Sequence, residues 1–222
     1  NMRNRQNLLV IVLLLCFSIF ATVSLVPAQV TYSSGFQVQN LSAVQANISI
    51  QYYNKDGSSP ATGGTVTDTV PANGSKSYKT IHPGSPFDGS VVISADQQII
   101  AIANTMGAYS GNAEAFAAST SSFSSGSTTV NLPLVMKNNY GYNTWFNVQN
   151  TGTADAAVTV TFSSGVTQTS TIKPGAAATF DQATNTQLPA GAWVGSAKVT
   201  STQPIIATVM QAIGGSSWRF IA

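Results

Sequence analysis

The stretch Phe146-Asn-Val-Gln-Asn150, continued by Val158-Thr-Val-Thr-Phe162, alternates apolar and polar residues and occurs twice in the chain. The earlier copy is Phe36-Gln-Val-Gln-Asn40, continued by Ile48-Ser-Ile-Gln-Tyr52. The offset from Phe36 to Phe146 is 110 residues, and it is the same at Tyr52 and Phe162. Alternation with a period of two is typical of a strand that buries one face. The chain therefore contains two copies of one β unit.

Later segments of the two copies match in the same order and with small gaps, which indicates a tandem duplication. Tyr78 corresponds to Phe180, and Phe87 corresponds to Trp193. The longer matching segments are Thr69-Val-Pro-Ala-Asn73 with Thr171-Ile-Lys-Pro-Gly175, Gly89-Ser90 with Gly195-Ser196, and Gln97-Gln-Ile-Ile-Ala101 with Gln203-Pro-Ile-Ile-Ala207.

Short strands separated by Gly, Pro and Asn turns fill each copy, which predicts an all-β fold of two tandem immunoglobulin-like β-sandwich domains. The first domain is predicted over residues 29–118 and the second over 128–222, with a Ser-rich flexible linker at 119–127.

Three local predictions concern the later part of the first copy and the join. Residues 89–94 and 99–105 are expected to form a final hairpin, and 112–118 a helical turn or crossing segment. The strand at 128–136 should place Val130, Leu132, Leu134 and Met136 on one face. Because it contains Pro133, it should be an edge strand.

Residues 1–28 have the three parts of a secretory signal peptide. Arg3 and Arg5 form a basic head, an apolar run covers 8–26, and Val26-Pro-Ala28 offers small residues for cleavage after Ala28. The alternative is an uncleaved transmembrane anchor helix, since a mainly apolar run of 19 residues is long enough to cross a bilayer. Both interpretations export the remainder of the chain. The sole cysteine, Cys16, lies inside this run, so the exported part would have no disulfide.

Charged residues make up only 7% of the chain, far below the share of about 25% in an average soluble domain. Without Arg3 and Arg5, seven basic residues balance seven acidic ones. This balance argues against a nucleic-acid-binding surface, which would need clustered positive charge. The predicted surface is rich in Ser, Thr, Asn and Gln, which can be buried against a partner at little desolvation cost.

Several segments of the second copy resemble the tandem β-sandwich repeats of secreted bacterial cell-surface proteins. These segments are Leu132-Pro-Leu-Val-Met-Lys-Asn-Asn139, Trp145-Phe-Asn-Val-Gln-Asn-Thr-Gly152, Lys173-Pro-Gly-Ala-Ala-Ala-Thr-Phe180 and Pro204-Ile-Ile-Ala207. The resemblance implies an Ig-like or fibronectin-like sandwich that serves as a stalk, adhesin, coat subunit or spacer. Such repeats share no catalytic residues, so the resemblance assigns none here.

The residues that could carry chemistry are few and scattered. His82 is the single histidine, and it lacks both a second metal ligand and a nucleophile in a recognisable motif. The seven carboxylates fall mostly at predicted turns, where Asp commonly caps the backbone. We therefore predict no enzyme activity, no metal site and no cofactor.

An aromatic group near the start of the second copy is the best candidate for contact with a partner or a glycan. Trp145 has the opposite parity to Phe146, so it should point away from the core, and Tyr140 and Tyr142 lie close by in sequence. Exposed aromatic residues are frequent at protein interfaces. Packing of Trp145 against the neighbouring repeat or against 128–136 is the structural alternative.

Together these observations predict a non-catalytic, exported structural or adhesion protein of the cell surface or envelope, with protein partners or self-association. The first alternative is an accessory subunit of a membrane complex, anchored through residues 8–26. The second alternative is a carbohydrate-binding module that uses Trp145.

Overall fold

The computed structural model of the protein describes residues 30–79, 87–109, 115–213 and 220–221. The predicted leader at 1–28 and His82 lie outside these ranges. Within them the chain is all-β, as the sequence predicts. None of these ranges contains a helix long and apolar enough to cross a membrane.

The first half of the chain, residues 30–121, forms two sheets. One has four strands in the order β4-β1-β6-β7, and the other has three in the order β3-β2-β5. In chain order the strands are β1 (Val30–Asn40), β2 (Ala46–Asn54), β3 (Thr65–Val70), β4 (Ser75–Tyr78), β5 (Gly89–Ala95), β6 (Ile99–Tyr109) and β7 (Ala115–Ser121).

The second half, residues 127–221, forms one sheet of seven strands because its longest strand, β13, takes part in both of its layers. The central path is β11-β10-β13-β9-β12, and β8 and β14 also pair with β13. The strands are β8 (Ser127–Lys137), β9 (Tyr142–Asn150), β10 (Ala156–Phe162), β11 (Thr167–Ile172), β12 (Ala177–Asp181), β13 (Trp193–Ile213) and β14 (Phe220–Ile221).

The two halves pair their strands in the same register, residue for residue, where the sequence copies match. The first part of β13 takes the place of β5, and its last part takes the place of β6. Phe36 pairs with Tyr78 in the first half as Phe146 pairs with Phe180 in the second. In the same way, Ile50 pairs with Ile93 and Val160 pairs with Val199. The duplication read from the sequence is therefore a duplication of backbone pairing.

Each half has its own hydrophobic cluster, and each cluster takes side chains from both layers of strands. A stacked aromatic pair occupies the equivalent place at one end of each cluster. Phe36 stacks on Tyr78 with ring centroids 4.8 Å apart, and Phe146 stacks on Phe180 at 5.2 Å. Edge-to-face pairs occupy the other end of each cluster, Tyr52 with Phe87 and Phe162 with Trp193.

The turn between β11 and β12 joins the second half to the first. Gly175 is buried at φ +76° beside the Tyr53 ring, so close that a Cβ atom at this position would lie 2.5 Å from the ring. The Ser90 hydroxyl donates to the carbonyl oxygen of Gly175. This contact lies at the end of the three-stranded sheet where β2 ends and β5 begins.

Two of the local predictions are wrong, because they used the local sequence alone, whereas strand pairing determines the structure of these segments. β5 and β6 do not form a hairpin: β5 pairs with β2, and β6 pairs with β1 in the other sheet. At 112–118, where a helical turn or crossing segment is predicted, residues 115–118 instead form the start of β7, which pairs along β6, and 112–114 lie outside the described residues. The predicted linker at 119–127 shortens to residues 122–126, because β7 runs to Ser121 and β8 starts at Ser127.

The proline in β8 marks a bulge. Among the described strands β8 pairs only with β13, so it is the edge strand that Pro133 predicts. Leu132 pairs with Ala197 and Val135 with Gly195, so two residues of β8 lie opposite one of β13. The extra residue reverses the alternation, and the prediction of a single apolar face is wrong beyond Pro133. Leu134 is exposed, and Val135 is buried in its place.

Candidate interaction site

Among the described residues, the outward-facing positions on the strands of the four-stranded sheet hold no charged side chain, and we call this surface the uncharged face. Its centre is an apolar row on β6, formed by Ile100, Ile102 and Met106, which are 46%, 39% and 52% exposed. Polar or small residues surround this row. They are Ser75 and Ser77 on β4, Gln37 and Gln39 on β1, Asn104 on β6, and Ala117, Ser119 and Ser121 on β7.

The alternation of β1 and β6 creates this face. Phe36 and Val38 point into the core, so Gln37 and Gln39 point outward. On the face itself, the Gln37 amide donates to the Ser75 hydroxyl at 3.0 Å, and the Ser119 hydroxyl donates to the Asn104 oxygen at 2.6 Å. Because these polar groups are hydrogen-bonded to one another, burying them against a partner would cost less free energy than burying unpaired charges.

The second half does not repeat the apolar row. The positions that match Ile100 and Ile102 are Ile206 and Thr208, which are half-buried. Met210 matches Asn104 and is buried, and Ala212 stands at the position of Met106. The uncharged face with its exposed row is therefore particular to the first half.

The structure does not bring the three predicted aromatic residues onto one surface. Tyr140 lies in the turn before β9 at φ +49° and is 91% exposed. Trp145 is half-buried on the outward side of β9, level with Met210 and Asp181 on the neighbouring strands. Tyr142 is three positions earlier in the same strand, so it lies on the opposite face. The outward orientation of Trp145 agrees with its parity, while contact of these residues with a partner or glycan stays a prediction.

A shallow groove of about 660 Å³ lies on the outward side of the three-stranded sheet. Its polar lining includes Asn47, Asp68 and Asp96. Asp96 accepts hydrogen bonds from the Asn47 amide side chain at 2.6 Å and from the Asn47 backbone N–H at 2.8 Å. These bonds hold the pKa of Asp96 below its usual range. A lowered pKa keeps this carboxyl ionised near neutral pH, which is unlike a general acid.

Asp68 ties the two layers of the first half together. It accepts from the Lys76 ammonium at 2.6 Å and from the Tyr78 hydroxyl at 3.0 Å, both on β4 of the other sheet. The Lys76 bond lowers the pKa of Asp68, while burial and then the bond to Asp68 raise the pKa of Tyr78. The second half has Ser170, Ala178 and Phe180 at the matching positions, so this polar contact is absent there.

We expect the Asp68 contact to make the first half sensitive to acid. A carboxyl whose folded pKa is lowered stabilises the fold above its unfolded pKa of about 3.9, and the stabilisation is lost as the pH falls toward the folded value. Urea unfolding at pH 6 should show Asp68→Asn about 0.5 kcal/mol less stable than the parent, a small value because Lys76 is solvent-exposed. At pH 2.5 the difference should shrink. An equal difference at both pH values would contradict this role.

Lys137 is a buried lysine at the end of β8, and sequence reasoning did not single it out. Its ammonium donates to the carbonyl oxygens of Asn185 at 2.7 Å and of Leu188 at 3.5 Å. The Asn185 amide in turn donates to the Gln182 side-chain oxygen at 2.8 Å. These contacts anchor the loop after β12 to β8, which is a structural role.

Sequence reasoning also missed the uncharged face, although a signal was present. Ile99-Ile-Ala-Ile-Ala103 is apolar at both parities, a pattern expected of a strand covered on both sides. In the structure one side remains exposed. Over the described ranges, no three His, Cys, Asp or Glu side chains come close enough together to hold a metal ion.

Comparisons with protein-family models, with curated proteins and with solved structures found no match to this chain. The interpretation of the uncharged face therefore depends on its own geometry.

Proposed function

We propose that the chain is an exported, non-catalytic structural or adhesion protein that acts by packing its β-sandwich modules against other protein surfaces. The observation that carries the proposal is the uncharged face with its apolar row of Ile100, Ile102 and Met106. Exposed apolar groups rimmed by polar residues are characteristic of protein interaction sites. The repeated strand register supports two Ig-like modules at about 29–118 and 128–222, each with its own core.

The export part of the proposal depends on the leader at residues 1–28, which lies outside the described residues. Self-association is the simplest form of the proposed packing, because the uncharged face is free of the like charges that would repel a second copy.

We expect self-association that depends on the apolar row. Sedimentation equilibrium across a concentration series should give a rising average mass for the parent chain. Ile102→Asp should weaken the association about tenfold or more, because it places a charge in the centre of the contact. Val44→Asp is the matched control, since Val44 is 61% exposed in the loop between β1 and β2 and lies off this face.

The control variant should associate as the parent does. A parent chain that stays monomeric at every concentration, or an equal loss in both variants, would contradict self-association through this face.

A further inference from the structure

The β5 strand uses only one of its two edges among the described residues. It pairs with β2 and has no described strand on the other side. In the second half, the matching part of β13 pairs with β10 on one side and with β8 on the other. The second half therefore shows what the first half looks like with one more strand in place.

Backbone geometry identifies the groups on the free edge. The N–H of Asp96 donates to the carbonyl oxygen of Asn47 at 3.2 Å, so Asp96 faces β2. In an antiparallel pair the direction of these groups alternates along the strand, which turns the N–H and C=O groups of Val91 and Ile93 to the free edge. The matching residues Ala197 and Val199 pair with Leu132 and Val130 of β8.

Side-chain burial also indicates that β5 lacks a neighbouring strand that β13 has. Ala197 and Val199 are buried, at 4% and 0% exposure, whereas Val91 and Ile93 are only partly buried. Leu132 and Val135 of β8 complete the second cluster. Among the described residues of the first half, no side chain takes the place of these two, so the first core is less covered along β5.

We propose that the free edge of β5 is an acceptor site for an extended strand donated by another polypeptide chain. The strand would run antiparallel to β5 and add to the three-stranded sheet, a known mode of peptide recognition in which main-chain hydrogen bonds supply affinity. This site differs from the uncharged face, which belongs to the other sheet, and neither proposal depends on the other.

The pattern of β8 defines the chemistry of the donated strand. It carries apolar side chains at the positions of Val130 and Leu132, and a further one at Val135 beyond the Pro133 bulge. Positions 127–129 and 131 are polar and uncharged. The strand residues of β5, Gly89-Ser-Val-Val-Ile-Ser-Ala95, are uncharged as well. An uncharged donor with alternating apolar residues fits this edge, whereas a charged one would bury unpaired charge against Val91 and Ile93.

The test uses the full chain and a synthetic peptide with the sequence of β8, Ser-Thr-Thr-Val-Asn-Leu-Pro-Leu-Val-Met-Lys. Binding is followed by fluorescence anisotropy, and the site is located by hydrogen–deuterium exchange. We expect saturable binding and slowed exchange at the amides of Val91, Ile93 and Ala95, whose N–H groups face the free edge. A peptide N-methylated at the positions of Val130 and Leu132 keeps every side chain but loses two donors, and it should bind about tenfold more weakly or worse. The Leu132→Asp peptide should also fail.

Two results would overturn the proposal. One is the absence of saturable binding by the β8 peptide. The other is binding that slows exchange only in β13, because the peptide would then be exchanging with β8 in the second half and not occupying β5. Slowed exchange at Val91, Ile93 and Ala95 that is insensitive to N-methylation would count against strand addition as well.

Discussion

Replacement of Asn150 by alanine is expected to lower the free energy of unfolding by about 3 kcal/mol. The side chain is fully buried, and its three hydrogen bonds are all to backbone groups. Its amide donates to the carbonyl oxygens of Ala154 at 2.8 Å and Ile172 at 2.9 Å, and its oxygen accepts from the Gly152 N–H at 2.8 Å. Each backbone group left unpaired and away from water costs about 1–3 kcal/mol, and entry of water would offset part of the sum.

Chemical denaturation measures this effect, and the chain supplies two comparisons. Asn40 makes the matching contacts in the first half, to the carbonyl oxygens of Val44 and Val70 and the N–H of Ser42, so Asn40→Ala should cost a similar amount. Asn131 is exposed on β8, and Asn131→Ala should change stability by less than about 0.5 kcal/mol. If Asn150→Ala were as mild as Asn131→Ala, the side chain would not be holding this end of the strands together.

Phe146→Ala and Phe36→Ala should each destabilise one half of the chain by about 3–5 kcal/mol. Phe146 is fully buried, and Phe36 is 6% exposed. Each ring stacks on one aromatic partner within its own hydrophobic cluster. Since the two clusters share no residue, loss of one ring should leave the other cluster packed.

Differential scanning calorimetry of the two variants tests whether the halves are separate domains. Each variant should lower the midpoint of one transition by about 10 °C or more and leave the other in place. The two variants should affect different transitions. If both lowered the same single transition, the halves would unfold as one unit through the contact at Gly175, and the two-domain prediction would be wrong.

The sequence predicts the strands well where the information is local and repeated. The strand predictions around Phe36, Phe146 and their continuations hold, because alternation identifies a half-buried strand without knowledge of its partner. The copy-to-copy matches of Tyr78 with Phe180 and of Phe87 with Trp193 hold as well, because the matched rings take equivalent places in the two cores.

Strand pairing between distant segments is what the sequence leaves open. Nothing in residues 89–105 distinguishes a hairpin from two strands that enter different sheets, because both have the same alternation and a short connection. Likewise β7 is rich in Ala and Ser, which have weak strand preference, and its conformation is imposed by pairing with β6. Pro133 predicts the edge position of β8, but the reversal of alternation depends on which residue of β13 it skips.

In the candidate site too, local alternation predicts the orientation of single side chains but not which residues come together. Parity places Trp145 outward, but it cannot show that Tyr140, in a turn at positive φ, lies apart from it. The apolar row on β6 is visible in the sequence as Ile100 and Ile102, yet its exposure depends on what the rest of the chain leaves uncovered. The free edge of β5 becomes visible only when the pairing of both halves is known.

Strand β13 runs for 21 residues through the second half, and its backbone is paired with β8 and β10 along its first part and with β9 and β14 along its last. In the first half the equivalent path is interrupted between Ala95 and Ile99. Tension applied along β13 would load all of these ladders in shear at once, so none could be unzipped one bond at a time. The second half should therefore require a larger stretching force to unfold than the first half.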